Sequence, residues 1–157
     1  MDKLSWKQVI WTTLAITFLI VLTSCSQLVP LMGEGPPPGY IGGNIPAEYR
    51  GKANPFAPND EQALAAGRQL YQANCAVCHG DNGRGDGPKW PYLEPRPADF
   101  STPAMQEAFR EHEDYVFWWV SEGVEQTSMP AFKDRLSEIE RWQVITYDRY
   151  LGEQARK

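Results

Sequence analysis

Cys75-Ala76-Val77-Cys78-His79 reads C-x-x-C-H, the spacing by which a c-type haem is attached to a chain. In a helix, Cys75 and Cys78 fall on one face. Two thiols so placed can each form a thioether with one vinyl group of the same haem. His79 follows at once and offers an imidazole nitrogen to the iron. A haem held in this way cannot diffuse off, which suits a protein working outside the cytoplasm. Two other uses of C-x-x-C fit less well. A zinc site needs two matched pairs of ligands, yet the only other cysteine is Cys25 and the only other histidine is His112. A dithiol redox pair needs no histidine after it and prefers a βαβ context, which is not apparent.

The 157 residues allow one modest domain with appendages. Aromatic residues reach 12%, generous for so short a chain and suited to the walls of a pocket for a flat cofactor. The net charge is −5, with no basic stripe. Residues 1–24 carry two lysines against one aspartate, so the remainder stands at −6. This composition argues against nucleic acid as a partner and favours partners with a basic patch. Three cysteines are too few for a disulfide framework. Each has a separate use, so no disulfide is expected.

Residues 1–24 read as an address. Lys3 and Lys7 form a short basic region, Val9 to Leu22 an apolar one, and Leu22-Thr23-Ser24-Cys25 resembles the lipobox of bacterial lipoproteins. Acyl chains on Cys25 contribute about 0.8 kcal/mol per buried CH₂, so two or more hold firmly. The other reading is an uncleaved membrane helix, although the apolar stretch is short of the roughly 20 residues that a span needs. Either way the lysines place their own end in the cytoplasm. The rest is then expected at the cell membrane, on the periplasmic or extracytoplasmic side. Residues 25–59 follow as a lipidated cysteine and an extended arm. Gly33-Glu34-Gly35-Pro36-Pro37-Pro38-Gly39 is stiff and extended, and the arm reaches on the order of 100 Å when fully drawn out. It is either a flexible stalk or an arm lying in a groove of partner subunits. Tyr40, Ile41, Ile45, Tyr49 and Phe56 favour the second, because solvated linkers are poor in such residues.

Beyond the arm the periodicity is helical. Asn59-Asp60-Glu61-Gln62 fits a capping arrangement, and Leu64, Gly67, Leu70 and Tyr71 share a face. Gly67 there lets another helix approach closely. A second helix is expected over Glu113–Glu122, apolar almost all round and stopped by Gly123. A third begins at Ser137, with Glu140 completing a capping box, and ends at Gly152. No strand is apparent, so the domain is expected to be all-α with long loops. For a second iron ligand, Met129 in Ser128-Met129-Pro130-Ala131-Phe132 stands out as a loop residue beside a proline. A methionine filling a core gap is the lesser alternative. His112, in a charged run, and Met105 are the rivals. Gly80 to Pro88 is glycine-rich but lacks the G-K-[ST] and the preceding strand of a phosphate loop. Close packing of backbone beside the haem is the simpler account. A carbonyl there, that of Pro88, is a candidate to accept the other ring N–H of His79 and fix its tautomer.

Together these pieces resemble a class I cytochrome c domain over residues 60 to 152: Gly67 and Tyr71, Cys75 to His79, Gly80 to Pro88, Ser128 to Phe132, and Trp142 with Tyr147. The resemblance implies a cytochrome c fold, three to four helices around one covalently bound haem c, in residues 60–157. It implies that the first and last helices cross, with Gly67 and Tyr71 packing on Trp142 and its neighbours. It also implies thioether links at Cys75 and Cys78, His79 as proximal ligand and Met129 as distal ligand. The lipobox, the arm with Gly39-Tyr40-Ile41-Gly42-Gly43 and the single haem domain are similar to the mono-haem cytochrome c subunit of bacterial alternative complex III. That assembly oxidises quinol and passes electrons to a periplasmic acceptor or an oxidase. The expected function is therefore one-electron transfer, not catalysis, by a membrane-tethered subunit of a quinol-oxidising respiratory or photosynthetic complex among other redox subunits. The rivals are a free lipid-anchored shuttle and a haem sensor or peroxidase with an open iron.

Overall fold

The computed structural model describes residues 44–157. Cys25 and most of the arm, including Tyr40 and Ile41, lie outside the described residues. Five α-helical segments and no strand occur among the described residues, as expected of the all-α fold. They are α1 (Glu61–Asn74), α2 (Ala76–His79), α3 (Pro103–Glu111), α4 (Glu113–Glu122) and α5 (Glu138–Gln154), with a 3-10 turn at Trp90–Tyr92. No helix among the described residues is long and apolar enough to cross a membrane.

Each start has a local cause. The cap of α1 is Asp60 rather than Asn59: its side chain accepts from the Ala63 amide at 2.8 Å. Thr102 caps α3, with Pro103 at its first position. Ser137 and Glu140 form the reciprocal capping box of α5. Helix α4 spans the expected residues and stops at Gly123, whose φ of 79° suits a residue without Cβ. Helix α3 was not anticipated by the periodicity. Nor does α5 end at Gly152. It continues to Gln154, with Gly152 buried inside it and the Phe100 carbonyl and the Gln106 amide against its Cα. Absence of a side chain serves packing there, not termination.

The principal packing is α1 across α5. A Cβ on Gly67 would run into the backbone carbonyl of Gln143 and the Cβ of Tyr147, so glycine sets the approach of the two helices. Tyr71, fully buried, lies 5.5 Å from the Tyr147 ring and donates from its hydroxyl to the Gly80 carbonyl at 2.5 Å. Helices α3 and α4 close the other side through Phe109, Phe117 and Val120, and Phe117 stacks on Trp142 at 4.1 Å.

Residues 44–59 do not hang free. Ile45 and Tyr49 belong to the core, and Phe56 packs against it. Tyr49 donates its hydroxyl to Glu122 on α4, the Gly51 amide donates to Asp114 at 3.0 Å, and Asn54 donates to Thr146 on α5 at 3.0 Å. The apolar anchors of the arm that fall among the described residues thus seat on the chain's own helices.

Candidate haem site

Helix α1 ends at Asn74, and the chain turns at Cys75 into the single turn of α2. That turn is held by the glycine loop that follows. The amides of Gly85, Gly87 and Lys89 donate to the carbonyls of His79, Cys78 and Val77 at 2.8–3.1 Å. A Cβ on Gly87 would strike the backbone of Ala76 to Cys78. The glycines therefore let one backbone lie on another, as expected of this loop, and they satisfy the carbonyls that a short helix leaves free.

Beside this turn lies a cavity of about 480 Å³, within the usual range of cofactor pockets, roughly 300–1,000 Å³. Cys75, Cys78 and His79 form one wall. Met129 and Pro130 come from the loop after α4, and Val116, Trp119 and Val120 from α4 itself. The lining is mostly apolar. The structure thus brings Cys75, Cys78, His79 and Met129 to one cavity. Met105, buried on α3, reaches it too. His112 is not among its lining residues; it sits at the junction of α3 and α4.

His79 is oriented from two sides. Its ring stacks on Phe100 with centroids 4.8 Å apart, and its Nδ1 lies 3.3 Å from the carbonyl oxygen of Ala98. The partner is therefore Ala98 and not Pro88, whose neighbours Gly87 and Lys89 are engaged with the backbone of α2 instead. An Nδ1–H donated to Ala98 leaves Nε2 as the free lone pair. Burial holds the His79 pKa below its usual value, partly offset by the Ala98 carbonyl, which favours the neutral, metal-binding form.

The Met129 loop is fixed through its backbone. Its amide donates to Thr127 Oγ1 at 3.1 Å, and its carbonyl accepts from Val124 at 3.3 Å. The Phe132 amide donates back to Val120 and Ser121 at the end of α4. Gly123 allows the crossing, since a Cβ there would meet the Met129 carbonyl and the Ala131 amide.

Burial pushes the Cys75 thiol up strongly, with Asp148 and Cys78 adding to it and Arg135 opposing. A thioether in that place would have no proton to lose. A further residue of the wall was not singled out from sequence. Asp148 on α5 is 6% exposed, lines the cavity, and its Oδ1 has no hydrogen-bond partner. Burial pushes its carboxyl well above the usual carboxylate range. The signal was present in its spacing: Val144, Asp148 and Leu151 share one helical face with Ile145 and Gly152.

The donor set fits a haem. Two adjacent thiols, a neutral imidazole and a thioether face a mainly apolar cavity of suitable size. No group of three or more His, Cys, Asp or Glu among the described residues could hold a bare metal ion instead.

Comparison with known proteins agrees. Residues 62–147, more than half the chain, match the family model described as cytochrome C oxidase, cbb3-type, subunit III. A 40-residue segment, 26% of this chain, is 42% identical to the cbb3-type cytochrome c oxidase subunit FixP of Azorhizobium caulinodans, but spans only 14% of that protein. A chain of the Kuenenia stuttgartiensis reducing HAO-like protein complex Kustc0457/Kustc0458 superposes with a TM-score of 0.54 at 32% identity, covering 62% of this chain and 46% of that one. The chain therefore belongs to the cytochrome c family of the cbb3-type subunit III description, and its domain is a class I cytochrome c electron-transfer domain whose cofactor is haem c.

Proposed function

We propose that this chain is a one-electron relay holding a single haem c, tethered to a membrane through Cys25 and docked as a subunit of a larger redox assembly. The observation that carries the relay is the convergence of Cys75, Cys78, His79 and Met129 on one cavity. The haem supplies Fe(III)/Fe(II) cycling, and the chain's residues do the rest. Cys75 and Cys78 form the covalent links. His79 presents Nε2 because Ala98 engages Nδ1. Met129, held by Thr127 and Val124, presents its sulfur from the facing loop, and His/Met ligation raises the potential. His79 is held through its ring by Phe100 and Ala98, and the Met129 backbone by Thr127 and Val124, which would keep rearrangement small when the oxidation state changes. The apolar walls from α3 and α4 keep water from the iron.

The subunit role is supported by relatives whose names place them in multi-subunit redox assemblies. The lipobox, the arm and the single haem domain favour a quinol-oxidising complex of the alternative complex III type, with the haem domain on the periplasmic side. The test is gentle solubilisation of native membranes followed by size separation and haem staining. Co-migration with other redox subunits is expected. Migration as a small lone haem protein would replace the subunit with a mobile shuttle.

A further inference from the structure

Asp148 is the one acidic side chain that α5 turns into the core. A buried carboxyl without a hydrogen-bond partner is costly to ionise, and Oδ1 of Asp148 is buried without one. Its ionisable neighbours are Tyr71 and Cys75 from α1 and its end, and Tyr147 on its own helix. Across the cavity stand Cys78, His79, Arg96 and Asp99. Arg135, on the loop before α5, donates to Asn74 at 3.0 Å and acts on Cys75. Helices α3 and α4, with the cap residue Thr102, contribute only Thr102, Ala104, Met105, Phe109, Val116, Trp119 and Val120 to the lining. No cation among the described residues is paired with Asp148. In such a buried cavity a charge is felt by its neighbours more strongly than in water.

We propose that Asp148 is a proton-binding site coupled to the haem electron: when the pocket gains one electron, a carboxylate oxygen of Asp148 takes up one proton from solvent, and when the electron leaves, the O–H bond breaks and the proton returns. Iron is reduced from Fe(III) to Fe(II), the carboxylate becomes a carboxylic acid, and the net charge of the pocket is unchanged. The physical cause is that reduction removes one positive charge near the carboxylate, which makes its anionic form costlier. The electron comes from the redox partner that the relay function already requires. This inference rests on haem occupying the cavity.

Coupling of this kind has a fixed sign. The midpoint potential falls as pH rises, between the pKa of Asp148 with oxidised haem and its higher pKa with reduced haem. The limiting slope is a tenfold change in the electron equilibrium per pH unit, about 59 mV for one electron. The test is spectroelectrochemical titration of the haem-loaded protein across pH, for wild type and Asp148→Asn. A sloping wild-type curve that loses at least half its slope in the variant is expected. A flat wild-type curve, or a smaller loss, overturns the proposal. Where Asp148→Asn does not fold, redox-difference infrared spectroscopy of the wild type decides. A carboxylic C=O band present when reduced, lost on oxidation and shifted by 13C-labelling of aspartate, which leaves the haem propionates unshifted, is expected, and no such label-sensitive band overturns it. Absence of a haem spectrum in the purified protein would instead mark failure of the haem reading itself.

Discussion

His79 shows how much of a site one side chain can inherit from its surroundings. Phe100 fixes the plane of its ring and Ala98 its tautomer, so the free nitrogen is chosen before any iron arrives. Replacing Phe100 by alanine removes the stacking and a core ring (5% exposed). A loss of about 3–5 kcal/mol in stability is expected, read by denaturant unfolding, together with a broadened or altered low-spin haem spectrum. Asp148 gives a second prediction. Its pKa is raised in the fold, so the folded chain holds a proton that the unfolded chain releases. Its burial therefore costs nothing below the usual carboxylate pKa, about 3.9, and costs progressively more as pH rises above it. The stability of Asp148→Asn relative to wild type is expected to increase from acid to neutral pH, and a constant difference across that range would contradict it. Cys75, Cys78 and His79 were legible as a candidate set because their spacing is itself the chemistry, whereas Met129 stood out only as a loop residue beside a proline; the structure adds that all four line one cavity. Ala98 was not legible, because a carbonyl partner leaves no trace in side-chain identity, and the glycine-loop carbonyl of Pro88 was the nearer guess along the chain.

Among the elements, α1 and α5 meet at Gly67 with no room to spare. Gly67→Ala would gain helix propensity, roughly 1 kcal/mol, but its methyl group meets the rigid carbonyl of Gln143 rather than a flexible tip. Overpacking of this kind costs about 1–3 kcal/mol, occasionally more, so a net fall in melting temperature is expected, and a rise would contradict the close crossing. The box at Ser137 and Glu140 is simpler: Ser137→Ala should cost about 1 kcal/mol with no change in the haem spectrum. The capping box and the close helix crossing were legible because each depends on a few residues at fixed spacing. Helix α3 was not: its start, Thr102-Pro103, is a good signal, but the helix is only nine residues long before the break at His112, and the charged run there reads as surface. Gly152 misled for a related reason, since a glycine that stops a helix and one that admits a neighbouring chain look alike in sequence.

At the scale of the whole molecule, an acidic chain of net charge −5 carries a relay site whose electrons must pass to another protein. Attraction to a basic redox partner is screened over about 10 Å at 0.1 M salt, so the second-order rate of electron exchange with such a partner is expected to fall as ionic strength rises. A rate independent of salt would show that the acidic surface does not steer docking. The arm divides in its legibility. Its apolar anchors signalled binding, but the structure seats Ile45 and Tyr49 on the chain's own core, and hydrophobic pattern alone does not say whose groove is filled. What separates a relay from a sensor or peroxidase is whether the iron is closed by sulfur from the Met129 loop. The absorption spectrum of the oxidised, haem-loaded protein tests this most directly, through the long-wavelength sulfur-to-iron charge-transfer band. The band is expected in the wild type and in Met105→Leu, and is expected to vanish in Met129→Leu; its absence from the wild type, or its survival in Met129→Leu, would contradict the account.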